Sequence, residues 1–292
     1  MLKAPPIVYA PHWNMWGAAF GGTNETNGNA NIGSHDATTT AAGFALGADY
    51  HLSRDTMLGF ALAGGATSWS LSAGLGGGRS DAIQAAVYGA HQFGAAYVSG
   101  ALAFADYVAS TSRTLTIPGF DTLSASFNAQ SFGGRVESGY HITGLTPFTL
   151  TPYGALQVQG FNAPSYSESA ASGSSPFALS YNAQSATESR VELGSWANKT
   201  FLLPGGNGIN IFGRAAWVHD WQSNAALDVA FLALPAIGFV VNGATPPADL
   251  ARVTLGGELR LSDGWSVLAK FDGEFGKGSE TYTGTGRLRY TW

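Results

Sequence analysis

The sequence predicts an all-β fold, a transmembrane antiparallel up-and-down β-barrel of about twelve strands. Three observations predict it. Apolar and polar residues alternate with period two over segments of about ten residues, as expected of strands with one face in lipid and one in a polar interior. The connections alternate between short turns and long loops rich in Gly, Ser and Asn. Aromatic residues gather towards both ends of the segments, as bilayer interfaces select.

Composition narrows the class further. Of the 292 residues, 11% are charged and 45% hydrophobic. An ordinary globular chain carries about 25% charge, so the coat that keeps a soluble domain dispersed is missing. No segment approaches the roughly 20 apolar residues of a spanning helix. The most apolar stretch, 229–241, is short and broken by Pro235 and Gly238. In lipid only helices and closed barrels satisfy their own backbone, so if the chain spans a membrane it must cross by strands. The absence of cysteine excludes a disulfide scaffold and a thiolate metal site. A net charge of -5 with no basic block argues against a nucleic-acid partner. No cofactor is expected, and the barrel is expected to be monomeric.

Residues 1–12 read as a linker remnant and 13–292 as the barrel. Met1-Leu2-Lys3 leads into Ala4-Pro5-Pro6 with no signal-peptide pattern, so the chain is expected to be the C-terminal piece of a longer exported precursor. Strands are placed at 13–22, 40–51, 57–70, 80–93, 95–112, 124–142, 147–161, 180–202, 208–220, 248–262, 265–275 and 281–292. Short turns separate them at 51–56, 93–94, 141–146, 203–207 and 262–264. Long loops fall at 23–39, 71–79, 115–123, 162–179 and 221–247. An even strand count puts both chain ends on the short-turn side, which this architecture assigns to the periplasm, with the long loops extracellular.

The last three strands show the alternation best. Val253, Leu255, Leu259 and Leu261 oppose Arg252, Glu258 and Arg260. Trp265, Val267, Phe271 and Phe275 oppose Lys270, Asp272 and Glu274. Tyr282, Leu288, Tyr290 and Trp292 oppose Thr283, Thr285, Arg287, Arg289 and Thr291. Two aromatic belts follow. Trp13, Trp16, Tyr50, Phe93, Tyr97, Tyr140, Phe148, Phe201, Trp265, Tyr290 and Trp292 lie near the short turns. Phe20, Trp69, Tyr107, Phe127, Phe161, Tyr181, Trp217, Phe275 and Tyr282 lie near the long loops.

The same alternation predicts the pore lining: Arg135, Glu137, Arg190, Glu192, Arg214, Glu258, Arg260, Lys270, Asp272, Glu274, Arg287 and Arg289. Opposite signs at i, i+2 spacing suit a ladder of ion pairs, since charges are tolerated inside and not against lipid. Catalytic sets are weak. His219-Asp220 stands alone, His12, His35, His51, His91 and His141 are scattered, and no G-x-S-x-G or H-E-x-x-H occurs. Gly74, Gly76, Gly77 and Gly78 before Arg79 lack the Lys-Ser/Thr ending of a phosphate loop. The chain is not expected to be an enzyme.

Several motifs occur in order: Trp16-Gly17-Ala18-Ala19-Phe20-Gly21-Gly22, Gly43-Phe44-Ala45-Leu46-Gly47-Ala48-Asp49-Tyr50, Phe132-Gly133-Gly134-Arg135-Val136-Glu137-Ser138-Gly139-Tyr140, Thr151-Pro152-Tyr153-Gly154-Ala155-Leu156-Gln157, Phe271-Asp272-Gly273-Glu274-Phe275 and Gly286-Arg287-Leu288-Arg289-Tyr290-Thr291-Trp292. Together they resemble the autotransporter β-domain, the translocator of type V secretion. The resemblance implies a twelve-stranded barrel in the outer membrane of a Gram-negative bacterium that supports export of an N-terminal passenger to the cell surface. It also implies that Leu288, Tyr290 and Trp292 are an assembly signal read by the barrel-assembly machinery. A counterpart of the family's helix before the first strand is not expected within residues 1–12, because Pro5, Pro6 and Pro11 oppose one. The competing expectations are a porin-like channel and an adhesin built from the loops. The 221–247 loop, with Phe231, Leu232, Leu234, Ile237 and Phe239, supports the latter unless it folds against its neighbours.

Overall fold

The computed structural model describes residues 12–115, 122–144, 147–170, 176–222 and 226–292. The 1–12 linker falls outside them except for His12. Seventeen strands follow in chain order: β1 (His12–Thr26), β2 (Ala37–His51), β3 (Thr56–Leu71), β4 (Gly76–Phe93), β5 (Ala96–Thr114), β6 (Thr122–Tyr140), β7 (Thr149–Ala163), β8 (Tyr166–Ser167), β9 (Ser169–Ala170), β10 (Leu179–Tyr181), β11 (Gln184–Leu202), β12 (Gly208–Gln222), β13 (Ala226–Phe231), β14 (Leu234–Asn242), β15 (Asp249–Arg260), β16 (Trp265–Gly276) and β17 (Ser279–Thr291). Twelve of them, β1–β7, β11, β12 and β15–β17, form one antiparallel wall. Each pairs with its neighbour in that series, and β17 returns to β1, from Asn14↔Thr291 to Thr26↔Ser279. The barrel is closed, as the sequence predicts.

Period two sorts the side chains. Phe44, Leu46, Leu62, Ile83, Leu102, Leu156, Leu255 and Leu288 stand on the outer face, exposed to what surrounds the barrel. Intervening positions such as Asn14, Asp49, Glu192 and Thr254 are buried inside. Where a large inner ring must lie flat on the wall, the neighbouring strand supplies a glycine. Tyr88 covers Gly59, Tyr97 covers Gly139 and Phe212 covers Gly256, each so closely that a Cβ there would stand 2.5 Å from the ring. Trp16 covers Gly47 in the same way.

The structure departs from the sequence expectation at the long-loop end. The 71–79 loop shrinks to a single turn at Ser72–Gly74, held by left-handed Ala73 (φ 58) and Gly74 (φ 67). Gly76, Gly77 and Gly78 belong to β4, where the Trp69 indole lies on Gly78. β16 and β17 meet in a two-residue turn that needs left-handed Gly278 (φ 76). Residues 179–181 separate from β11 and join β8, β13 and β14 in a second, four-stranded sheet. The 221–247 loop is therefore a hairpin folded against a neighbouring loop, and Phe231 packs between Phe177 and Phe239. The side chain of Ile237 lies outside the described residues.

The aromatic belts also need correction. At the short-turn end Trp16 and Tyr97 point inward, where they bond Asp49 and Glu137. Trp13, Tyr50, Phe93, Tyr140, Phe148, Phe201, Trp265, Tyr290 and Trp292 share the parity of the outward leucines, so that belt stands. At the long-loop end Trp217, Phe275 and Tyr282 face outward. Phe20, Trp69, Tyr107, Phe127, Phe161 and Tyr181 face the lumen or the cavity at its mouth. Height along a strand alone does not set the face; parity does.

Leu46, midway along the outer face of β2, tests the lipid-facing assignment. Leu46→Arg is expected to lower unfolding free energy in lipid vesicles by about 2–4 kcal/mol, measured by equilibrium denaturant titration. An unchanged midpoint would place that face away from lipid.

Candidate functional site

The lumen is the one feature that the closed wall creates, and its chemistry is uneven. Midway along β2, β3 and β5 the inner positions are small: Ala41, Gly43, Ala45, Gly59, Ala61, Ala63, Ala101 and Ala103, with Asp49, Trp69, Tyr88, Tyr97 and Tyr107 the larger inward residues towards the ends of β2–β5. Charge concentrates on the opposite side, across β6, β11, β12 and β15–β17.

Glu192 on β11 is the hub of that side. Its side chain is fully buried and meets three guanidinium groups: Arg135 at 3.1 Å, Arg214 at 2.9 Å and Arg252 at 3.2 Å. The Tyr153 hydroxyl donates to the same carboxylate. Arg214 continues to Asp272 (3.1 Å) and to Thr254 (2.7 Å), with its guanidinium over the Trp196 ring. Lys270 closes on Asp272 at 2.6 Å, and Arg135 on Glu137 at 2.7 Å. Towards the long loops, Arg190 clasps Asp220 through two bonds of 2.7 and 2.8 Å and reaches Glu274 at 3.1 Å.

A second network lies nearer the short turns. Glu258 accepts from Arg260 and Arg287, each at 3.0 Å, and from Ser266 at 3.3 Å. Arg289 approaches Asp49 at 3.4 Å, while Asp49 also receives the Tyr88 hydroxyl and the Trp16 indole. The structure thus places all twelve charged residues named from the sequence on the inward parity of their strands, each in an ion pair, with Arg260 largely exposed and Arg289–Asp49 standing apart from the Glu258 cluster. Arg252, Asp49, Asp220, Tyr88, Tyr97 and Tyr153 belong with them and were missed. Arg252 already stood on the polar parity, and Asp49 follows Ala45 and Gly47 on the inner one.

Space remains beside the networks. A cavity of about 350 Å³ lies against Gln84, Tyr107, Ser131, Gln157 and Gln159. Another of about 410 Å³ lies between Phe20, Lys270, Glu274 and Thr283. At the mouth, Glu168 binds Arg113 at 2.6 Å and accepts from the Tyr181 hydroxyl at 3.0 Å. Burial and the adjacent Glu168 charge push the Tyr166 phenol up to about 12, and the same two causes raise that of Tyr181.

The other sequence candidates separate. His219 and Asp220 are adjacent on β12 and so face opposite sides of the wall. His219 bonds Asp249 outside (2.8 Å), whereas Asp220 holds Arg190 inside. They cannot form a dyad. No group of three or more His, Cys, Asp or Glu side chains suited to a metal occurs among the described residues. Leu288, Tyr290 and Trp292 stand on the outer face; Tyr290 packs on Trp265, and the Trp292 amide donates to the Trp13 carbonyl at 3.2 Å.

The hub makes a test. Glu192→Gln leaves three buried guanidinium groups short of their anion and is expected to cost about 3 kcal/mol or more. Lys270→Gln removes a partly exposed cation and leaves Asp272 paired with Arg214 and Thr254, so it is expected to cost under about 1 kcal/mol. Urea unfolding of the two purified variants compares them; equal losses would refute the hub.

Residues 15–272 match the family described as the autotransporter beta-domain. No curated protein matches the chain by sequence. The fold is similar to the translocator domain of the autotransporter NalP from Neisseria meningitidis (TM-score 0.77, 16% identity, 96% of this chain and 88% of that one). It is similar also to the beta domain of the Bordetella autotransporter BrkA (0.71, 16%, 96% and 99%). The transport unit of AIDA-I from Escherichia coli gives 0.55 at 13% identity, covering 99% and 93%. A closed twelve-stranded wall, apolar outside and charged inside, thus coincides with a family match over most of the chain: the protein belongs to the autotransporter β-domain family, the outer-membrane translocator barrels whose role is passenger export.

Proposed function

We propose that the polar lumen is the conduit for the passenger and that the protein acts by transport rather than catalysis. The observation that carries this reading is the lumen's division into a charged, self-paired wall and a wall of small residues. Charges that already bond one another offer a moving polypeptide few sites to bind, and the small residues leave it room. The separation of His219 from Asp220 removes the one catalytic pair that the sequence offered.

The long-loop end faces the cell exterior in this reading, and both termini face the periplasm, so that a passenger preceding β1 enters where the short turns lie. The asymmetry of the connections supports it. The chain has no cysteine, so single thiols report topology directly. In intact cells Lys277→Cys, in the β16–β17 turn, is expected to react with a membrane-impermeant maleimide, and Arg54→Cys, in the β2–β3 turn, only after the outer membrane is opened. The reverse pattern would invert the assignment.

Leu288, Tyr290 and Trp292 form the assembly signal read by the barrel-assembly machinery, an apolar row on the strand that closes the wall. Alanine at Tyr290 and Trp292 together is expected to reduce outer-membrane insertion several-fold in cells while leaving unassisted refolding in detergent near wild type. Equal loss in both settings would make the row structural only. The barrel works as a monomer, with lipid around its apolar face.

A further inference from the structure

A conduit for water and polar chain has no need of apolar walls, yet aromatic rings gather at the mouth of this lumen. A cavity of about 660 Å³ lies there, bounded by Trp69, Phe161, Tyr166 and Tyr181 and, on the side of the β13–β14 hairpin, by Leu227 and Val241. Its size falls in the roughly 300–1,000 Å³ range of small-molecule sites, which are likewise apolar with a few fixed polar groups.

The walls are held in place by contacts that need no ligand. Phe127, Tyr166 and Tyr181 form a continuous stack, with ring centroids 4.1 and 4.5 Å apart and planes 13° and 12° apart. Glu168, whose side chain is only 2% exposed, receives Arg113 through Nε (2.9 Å) and Nη2 (2.6 Å), the Leu179 amide (2.9 Å) and the Tyr181 hydroxyl (3.0 Å). The hairpin pairs with β10 and is tied to the β1–β2 loop by Asn242 Nδ2 donating to the Ile32 carbonyl at 3.1 Å. Rings fixed in advance lose little freedom when a guest enters. The charges in the wall neutralise each other, so a guest need carry none.

We propose that this chamber is a binding site for one small, uncharged, planar apolar molecule, an aromatic or fused-ring compound held between the ring stack and the hairpin. The site is separate from the charged networks of the conduit. A passing stretch of polypeptide is the rival occupant, but its passage would part the hairpin from the β1–β2 loop and dismantle the chamber.

The probe is N-phenyl-1-naphthylamine, titrated by fluorescence into the folded barrel in lipid nanodiscs, with empty nanodiscs as the partition control. Saturable binding at one probe per barrel is expected. Leu227→Trp and Val241→Trp each fill the chamber from the hairpin side and are expected to weaken that binding at least tenfold. Leu102→Trp, which adds the same indole to the lipid face, should leave it unchanged. Heat-modifiable migration on gels verifies that every variant is folded. The proposal is overturned if wild type shows only the partition seen in empty discs, or if both folded hairpin variants bind as wild type does. It is overturned as well if a soluble aromatic-rich peptide displaces the probe as readily as naphthalene does, since the chamber would then serve polypeptide.

Discussion

Hydrocarbon offers the main chain no hydrogen-bond partner, and each unmet amide or carbonyl there costs several kcal/mol. The whole molecule answers that constraint. Every barrel strand borrows its partners from two neighbours, and the series ends only because β17 pairs with β1 along nearly the full length of both. Closure then fixes which parity faces lipid, and with it where every charge can be tolerated.

Once the wall is closed, the inner face must settle its own polar groups. It does so by concentrating them. Glu192 draws Arg135, Arg214 and Arg252 from three different strands, and Asp272 and Glu274 complete the arginines' shells. The result braces β6, β11, β12, β15 and β16 through the lumen as well as along the wall. Strands β2–β5 are held more lightly, by Asp49 to Arg289 and Tyr97 to Glu137, and part of the remaining space lies against Ala101 and Ala103 of β5.

Period two was legible in the sequence wherever one face is apolar and the other charged, as along Arg287, Leu288, Arg289 and Tyr290. From that pattern the wall, its closure and twelve lumen charges could be placed. Partners could not. Asp49 and Arg289 are 240 residues apart and meet only because the barrel closes between them. The aromatic belt misled at Trp69, Phe127 and Phe161 because nearness to a loop was read without parity. The sequence alone places residues 180–181 at the start of the strand that begins at Gln184, because their departure into the second sheet depends on the distant β13 strand they pair with.

The seam between β1 and β17 has a consequence for timing. It joins the first strand of the barrel, β1, to the last, β17, so the wall cannot close until every strand between them has been made. No earlier fragment can be sealed, so the barrel cannot insert piece by piece as it is made. Until that seam forms, both raw edges of the wall are open to pairing with strangers, and closure is what removes them.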